Sequence, residues 1–391
     1  PGEWLLLQDR RTNAVWSVSP SAWADPAVTY DVTHGQGTTT IGHRRDGLSV
    51  TVTWCVDAHA AVKHIRLELV NLDNKRLHLR MLAMAEWQMG EHLSDRATTV
   101  TTCLPPSPQA MRGTTLLCRQ AEQSAGFGQG TAFMAMPFDH RPDLDGPDWT
   151  CDRREFFSPQ GQLQLPPHLG QHSGQGLDPC AALARRVTLL PGQRLTQVFV
   201  LGYAATPAAA AELAATAVQK LPEARESEVA HVWDTLLGTC VVSTPDPLFD
   251  SLVNRWLLYQ TVSSRMWAKA GYYQAGGATG FRDQLQDAMA LAWAQPELLR
   301  DQIVLAASRQ FEAGDVQHWW HMPGGAGVRT HFSDDLLWLP YACTHYLRTT
   351  GNATLLDTVV PFLAGAPIPD GAEDSYTTPH ASDAQATLYE H

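Results

Sequence analysis

Apolar and polar positions alternate with a period of two through the first half of the chain. LSVTVTWCVDA (Leu48–Ala58) is one such run. AVKHIRLELVNLDNKRLHLRMLAMAEW supplies two more, split by Asn71, Asp73 and Asn74, residue types whose side chains favour tight turns. RRVTLLPGQRLTQVFVLGYA reads as a further hairpin-like pair around Pro191-Gly192. Period-two alternation buries one face of each strand, and antiparallel strands at this spacing predict a β-sandwich over residues 1–205. The stretch 138–176, rich in Pro, Gly, Asp and Gln, reads as one long ordered loop or several short pieces.

At Thr206 the period changes. TPAAAAELAATAVQKL places Thr206 as an N-cap with Pro207 at the first helical position. Ala-rich helices then run to about Leu237, and residues 206–240 form a helical linker. From Asp246 on, the pattern is helical. PLFDSLVNRWLLYQTVSSRMW, FRDQLQDAMALAWA and PELLRDQIVLAASRQF each predict a helix. SDDLLWLPYACTHYLRTTG predicts another, with Ser333 as N-cap, acids in the first turn and Gly351 as the stop. NATLLDTVVPFL and the terminal ATLYEH continue the helical reading. Helix hairpins joined by aromatic-rich loops predict an incomplete helical toroid over 241–391. Both ends look cut: the chain begins PGEWLLLQDRR, with neither Met nor a signal-peptide pattern. A fragment of a longer protein is expected.

Composition narrows the function classes. Lys plus Arg number 28 and Asp plus Glu 40, a net charge of −12, with no basic runs. That argues against nucleic acid as a partner and against a polybasic membrane patch. No apolar run approaches the ~20 residues of a membrane span. The seven Cys are widely spread with no CxxC pair, which predicts reduced, mostly buried thiols and a cytoplasmic location. Thirteen Trp is a high count. Most fit a core, yet open sugar sites also use flat aromatic faces.

Two segments concentrate polar chemistry. In GFRDQLQD, Asp283 and Asp287 lie four apart on one helix face, beside Arg282. Capping, worth ~0.3–1 kcal/mol, accounts for Asp283. It does not account for Asp287, which sits in the second turn among Leu285, Ala288 and Met289. A carboxylate there needs a partner, either Arg282 or a polyhydroxylated ligand, and the residues alone fit both. The preceding AGGATG lets backbone approach a ligand closely. The second segment, Glu312–Pro340, gathers Asp315, Gln317, His318, Trp319, Trp320, His321, Arg329, His331, Asp334 and Asp335 in loops and at a helix start. His318 and His321 lack a third ligand or an HExxH pattern, so no metal is expected. GxSxG, P-loop and Cys/His nucleophile signatures are missing from the sequence. Gly276, Gly277 and Gly280 do not follow a strand of a βαβ unit and make no dinucleotide loop.

YQAGGATGFRDQLQDAMAL, GDVQHWWH and GVRTHFSDDLLWLPYA, with CDRREFF and GLDPCAAL upstream, resemble the inverting glycoside phosphorylases of glycoside hydrolase family 94. The likeness is strongest to the branch formed by the C-terminal domain of cyclic β-1,2-glucan synthases. The resemblance implies an N-terminal β-sandwich, a helical linker and the first part of an (α/α)6 barrel. It implies reversible phosphorolysis of β-glucosides or β-glucans to α-glucose 1-phosphate, with inorganic phosphate as co-substrate and no cofactor. It places Arg282, Asp283 and Asp287 in the pocket for the non-reducing sugar, with Gln317, His318, Trp319, Trp320, Arg329, Asp334 and Asp335 bordering the same cleft. Partners would be a β-glucan or oligosaccharide, phosphate, and other domains of a larger synthase.

The family chemistry needs one carboxylic acid, because phosphate is itself a charged nucleophile and no base is required. The resemblance puts that acid in a DWND-type segment. The chain's one Asp-Trp, Asp148-Trp149, lies among the strands and is followed by Thr150, so the general acid is expected beyond His391 and the chain alone is expected to be inactive. Two other readings fit the same residues: a non-catalytic glucan-binding module that controls product length, and an inverting hydrolase on the same toroid.

Overall fold

The computed structural model describes residues 2–90, 92–104, 113–122, 130–137, 148–267, 277–322 and 324–391. It divides into two compact units, Pro1–Val232 and Trp233–His391. Of the Pro/Gly-rich stretch 138–176, positions 138–147 lie outside the described residues.

The first unit holds two antiparallel sheets. The eight-stranded sheet runs, in spatial order, Tyr30–His34, Thr38–Arg45, Leu48–Val56, Val62–Asn71, Arg194–Ala204, Thr131–Pro137, Gly113–Gln120 and Thr99–Leu104. The five-stranded sheet runs Asp148–Asp152, Pro179–Leu189, Leu77–Glu86, Glu3–Asp9 and Val15–Ser17. Alternation does its expected work in Leu48–Val56, where Leu48, Val50 and Val52 face a core that also contains Leu67, Leu69, Met81, Leu183 and Phe199. The two turns read as hairpins are something else. Val62–Asn71 belongs to one sheet and Leu77–Glu86 to the other, and Pro179–Leu189 and Arg194–Ala204 divide in the same way. Both turns therefore carry the chain from sheet to sheet. Asn71 ties the two corners together, donating from Nδ2 to the carbonyls of Lys75 (2.8 Å) and Leu189 (3.0 Å). Leu77–Glu86 and Pro179–Leu189 are buried on both faces, because Phe156 and Leu169 cover the side turned away from the main core.

After the sandwich, Thr206 caps the helix Pro207–Ala217 by accepting from the Ala209 amide at 3.2 Å. Its Ala210, Ala214 and Ala217 lie flat on Phe133 and Val200. Small side chains on this face let the helix approach the sheet closely. A buried charge cluster follows at the start of the helix Pro222–Leu237, where Arg225 meets Asp57 at 2.7 Å and Arg66 meets Glu226 at 2.8 Å.

The second unit is built on helices. The run Pro247–Trp267 alternates α and π turns. The helices Phe281–Met289, Pro296–Ala307 and Asp335–Thr350 pack around Leu285, Ile303, Trp320, Leu339 and Tyr346. Ser333 is not the cap of the last helix; Asp334 occupies that position and makes no side-chain cap bond. The two terminal segments read as helix are corrected. Only Ala353–Asp357 forms a short 3₁₀ turn, and Val359–Ala364 is a strand paired with His380–Thr387. Consecutive β-branched residues at Val359-Val360, followed by Pro361, disfavour a helix there and suit an edge strand. The alternation shows in burial: Leu355, Val360 and Leu388 join the core while Val359 is 55% exposed. No helix among the described residues is long and apolar enough to cross a membrane.

Candidate active site

A short antiparallel sheet supports the site. Ala278–Gly280 pairs with Gln317–His321, which pairs with Gly327–Thr330 and then Asp374–Thr377. The segment QHWWH, read as loop, is thus a strand. Gly327 is required for that pairing, since a Cβ there would sit 2.0 Å from the Trp319 carbonyl oxygen and 2.6 Å from the Trp320 Cα. The register slips between Gln317 and Trp319. Such a bulge re-aims side chains, and consecutive His318 and Trp319 both reach one cavity.

That cavity has a volume of about 290 Å³ and is lined by Ala278, Gly280, Phe281, Arg282, Asp283, His318, Trp319 and His321. It lies at the start of the helix Phe281–Met289. Gly280 precedes the first turn, and its amide donates to Gln284 Oε1 at 2.7 Å. Gln284 is buried among apolar neighbours and so anchors the rim from within. Trp319 stands beside His321 (ring centroids 5.3 Å) and Tyr376 (5.8 Å), giving the wall an aromatic face.

Four of the ten residues singled out in the sequence line the cavity: Arg282, Asp283, His318 and Trp319. Two more, Asp334 and Asp335, bond to lining residues, and Asp287 is linked to the wall only through Arg265. Asp334 Oδ2 accepts from Arg282 Nη1 at 2.6 Å, and that hydrogen bond holds the Asp334 carboxyl below its usual range. Asp335 Oδ2 accepts from His318 Nδ1 at 2.7 Å. Asp287 does not pair with Arg282. Its partner is Arg265, at 2.5 Å, which also reaches to 3.6 Å from Asp283.

The remaining three are turned away from the cavity. Gln317 is buried and donates from Nε2 to the Gly325 carbonyl at 2.8 Å, closing the turn between two strands. Trp320 is fully buried in the helical core, with the Arg309 guanidinium 5.0 Å from its ring. Arg329 grips Asp315 with two bonds of 2.5 and 2.7 Å, donates to the Ala366 carbonyl at 3.1 Å and stacks on Phe311. Each of these side chains is spent on structure. Alternation along a strand explains the split between Trp319 and Trp320.

Two residues of the site escaped the reading of likely binding groups. His321, which lines the cavity, was read as part of the polar segment Glu312–Pro340 and as half of a weak metal pair but was left out of the binding residues. Arg265 is one of two arginines in the helical run 247–267, which also carries Asp250, Asn254 and Gln260, so nothing in the local pattern singled it out. The first residues of YQAGGATGFRDQLQDAMAL, 273–276, lie outside the described residues. Among the described residues, no group of three or more His, Cys, Asp or Glu could hold a metal ion.

The chain belongs to glycoside hydrolase family 94: residues 1–220 match the supersandwich domain of that family and residues 232–391 its catalytic domain. It is 34% identical over 403 residues to the cyclic beta-(1,2)-glucan synthase NdvB of Rhizobium meliloti (strain 1021), covering 100% of this chain and 14% of that protein. It is 23% identical to the N,N'-diacetylchitobiose phosphorylase of Vibrio furnissii, over 93% of this chain and 49% of that one. The chain thus spans half or less of the length of these relatives. A bacterial glucoamylase crystallised with acarbose shares the fold, with a TM-score of 0.52 at 9% identity over 81% of this chain and 46% of that one. The β-sandwich followed by part of a helical toroid is the architecture these likenesses support.

Proposed function

We propose that this chain carries the sugar-binding part of the active site of an enzyme that performs reversible, inverting phosphorolysis of β-glucosides or β-glucans, as part of a β-1,2-glucan phosphorylase or a cyclic β-1,2-glucan synthase. The observation that carries the reading is the meeting of Arg282, Asp283, His318 and Trp319 on one cavity within the catalytic-domain match. A volume of about 290 Å³ falls at the small end of ligand pockets, which run from about 300 to 1,000 Å³, and suits one sugar ring. Guanidinium donors and a carboxylate acceptor match the alternating donors and acceptors of vicinal hydroxyls. Trp319 offers a flat apolar surface to the C–H face of the ring.

In the reaction, a phosphate oxygen forms a bond to the anomeric carbon from the face opposite the glycosidic oxygen. The glycosidic C–O bond breaks, the departing oxygen takes a proton from one carboxylic acid, and the sugar leaves as α-glucose 1-phosphate. Fixing the ring in the cavity favours its distortion toward the oxocarbenium-like transition state. Among the described residues Asp283 is the one carboxylate lining the cavity, and it lies 3.6 Å from both Arg282 and Arg265. That place between two guanidiniums suits Asp283 to holding a sugar hydroxyl rather than to giving up a proton.

Calorimetric titration with β-1,2-glucooligosaccharides tests the reading. We expect binding that Trp319→Ala weakens by about tenfold, or roughly 1.4 kcal/mol. A folded Trp319→Ala protein that binds as the parent does would remove the cavity from the argument. In the longer parent polypeptide, phosphate should be required and α-glucose 1-phosphate should appear. Release of free glucose without phosphate would identify a hydrolase instead.

A further inference from the structure

The two polar walls of the cavity are held from behind by consecutive residues, Asp334 on Arg282 and Asp335 on His318. The two acids differ in burial. The Asp334 side chain is 48% exposed. Asp335 is 1% exposed, and its Oδ1 has no hydrogen-bond partner among the described residues. Keeping a buried carboxylate half satisfied costs free energy. Part of that cost is offset by the positive end of the 16-residue helix that begins at Asp335. Helix capping does not explain the residue, because its hydrogen bond crosses to His318, seventeen positions away in the chain. Phe332 packs perpendicular to the imidazole, with centroids 4.9 Å apart. The ring is thus held by the hydrogen bond at Nδ1 and by its perpendicular packing with Phe332.

A carboxylate only accepts, so Nδ1 must carry the proton in this bond. The neutral ring then bears its lone pair on Nε2, the nitrogen left for a ligand. We propose that Asp335 is a positioning residue: it holds His318 as the Nδ1–H tautomer, so that Nε2 accepts a hydrogen bond from a hydroxyl of the ligand in the cavity. The identity of that ligand rests on the sugar-site reading above, whereas the tautomer does not. The consequence is selectivity. An acceptor at this position favours a neutral hydroxylated ring and repels a carboxylate or phosphate oxygen placed there.

Long-range proton–nitrogen NMR spectra of chain labelled at histidine, assigned with His318→Gln, read which ring nitrogen is protonated. Titrations with β-1,2-glucooligosaccharides run alongside. In the parent chain the proton should sit on Nδ1 alone. Asp335→Asn, whose amide donates as readily as it accepts, should spread the proton between the two nitrogens and weaken sugar binding by about tenfold with an unchanged melting transition. Asp335→Glu should recover part of both. A parent ring protonated at Nε2, as the other tautomer or as imidazolium, overturns the proposal, and this spectrum decides the matter even if Asp335→Asn fails to fold. An Asn variant with altered tautomer but unchanged binding overturns the acceptor role. Absence of sugar binding by the parent chain would defeat the proposed function, while the ring spectra would still decide the role of Asp335.

Discussion

His64 should make the sandwich sensitive to mild acid, and removing it should relieve that sensitivity. The side chain is fully buried on the strand Val62–Asn71, in register between Cys55 and Val200. Neither ring nitrogen has a hydrogen-bond partner among the described residues. Burial, with Arg225 and Arg66 nearby, pushes its pKa down from 6.5 to about 4. In the unfolded chain it titrates near 6.5, so between pH 6.5 and 4 the unfolded state binds more protons than the folded one. Stability is therefore full above pH 6.5 and falls as the pH drops toward 4. Integrating between pH 8 and pH 5 with these two values gives a loss of about 2 kcal/mol from this one residue. His64→Leu removes the titration without removing a hydrogen bond, so its stability at pH 8 should lie within about 1 kcal/mol of the parent. Urea unfolding followed by circular dichroism at pH 8 and pH 5 measures both quantities. The parent should lose about 2 kcal/mol more than the variant across that range. Equal losses would mean that His64 is hydrated or protonated in the folded state, and the argument from burial would fail. His43 sets a background common to both proteins. It is also lowered to about 4, chiefly by burial, and its Nε2 accepts from Trp16 Nε1 at 3.1 Å.

Two further substitutions test how the site is supported. Gly327→Ala should force the paired strands apart, lowering stability by about 1–3 kcal/mol and weakening sugar binding through displaced Trp319; a melting transition and affinity unchanged from the parent would refute the close approach. Arg329→Met strips one partner from a nearly buried bidentate pair, an event that costs about 3–5 kcal/mol, and Arg329→Met combined with Asp315→Leu should recover much of it. Loss of sugar binding at unaltered stability would instead return Arg329 to the ligand.

The fold was legible where a period persisted over several turns or strands. Leu48–Val56 and the Ala-rich helix after Thr206 are such cases. Where the chain bends, local pattern was a poor guide. Asn71–Asn74 and Pro191-Gly192 carry proper turn chemistry, yet turn residues do not say whether the next strand pairs with the last or joins the opposite sheet. That choice depends on which strands each run finds as neighbours, and Leu77–Glu86 finds Glu3–Asp9 and Pro179–Leu189. The C-terminal strands were lost for a related reason. In a run as short as Val359–Ala364 the β-branched pair and Pro361 are a weak signal against a helix, and the pairing with His380–Thr387 is what makes it a strand.

The site was legible as a set of segments but not as a division of labour. Density of Trp, His, Arg and Asp identified Glu312–Pro340, because polar and aromatic groups gathered at helix starts seldom serve packing alone. The same density could not say which members would face a ligand. A one-residue register slip turns His318 and Trp319 to the cavity and leaves Trp320 in the core. The Asp pair at 334 and 335 shows the limit most clearly. Adjacent acids at a helix start read as capping, yet each makes a bond that leaves the helix. One reaches Arg282 and the other His318, so a single turn of backbone positions two lining residues of the cavity at once. Rigid placement of that kind lowers the entropy lost when a sugar is oriented. The contacts that a sequence reader assigns to helix stability here serve the geometry of the site, and that is why substitutions at Asp335 should be read by tautomer and affinity rather than by melting alone.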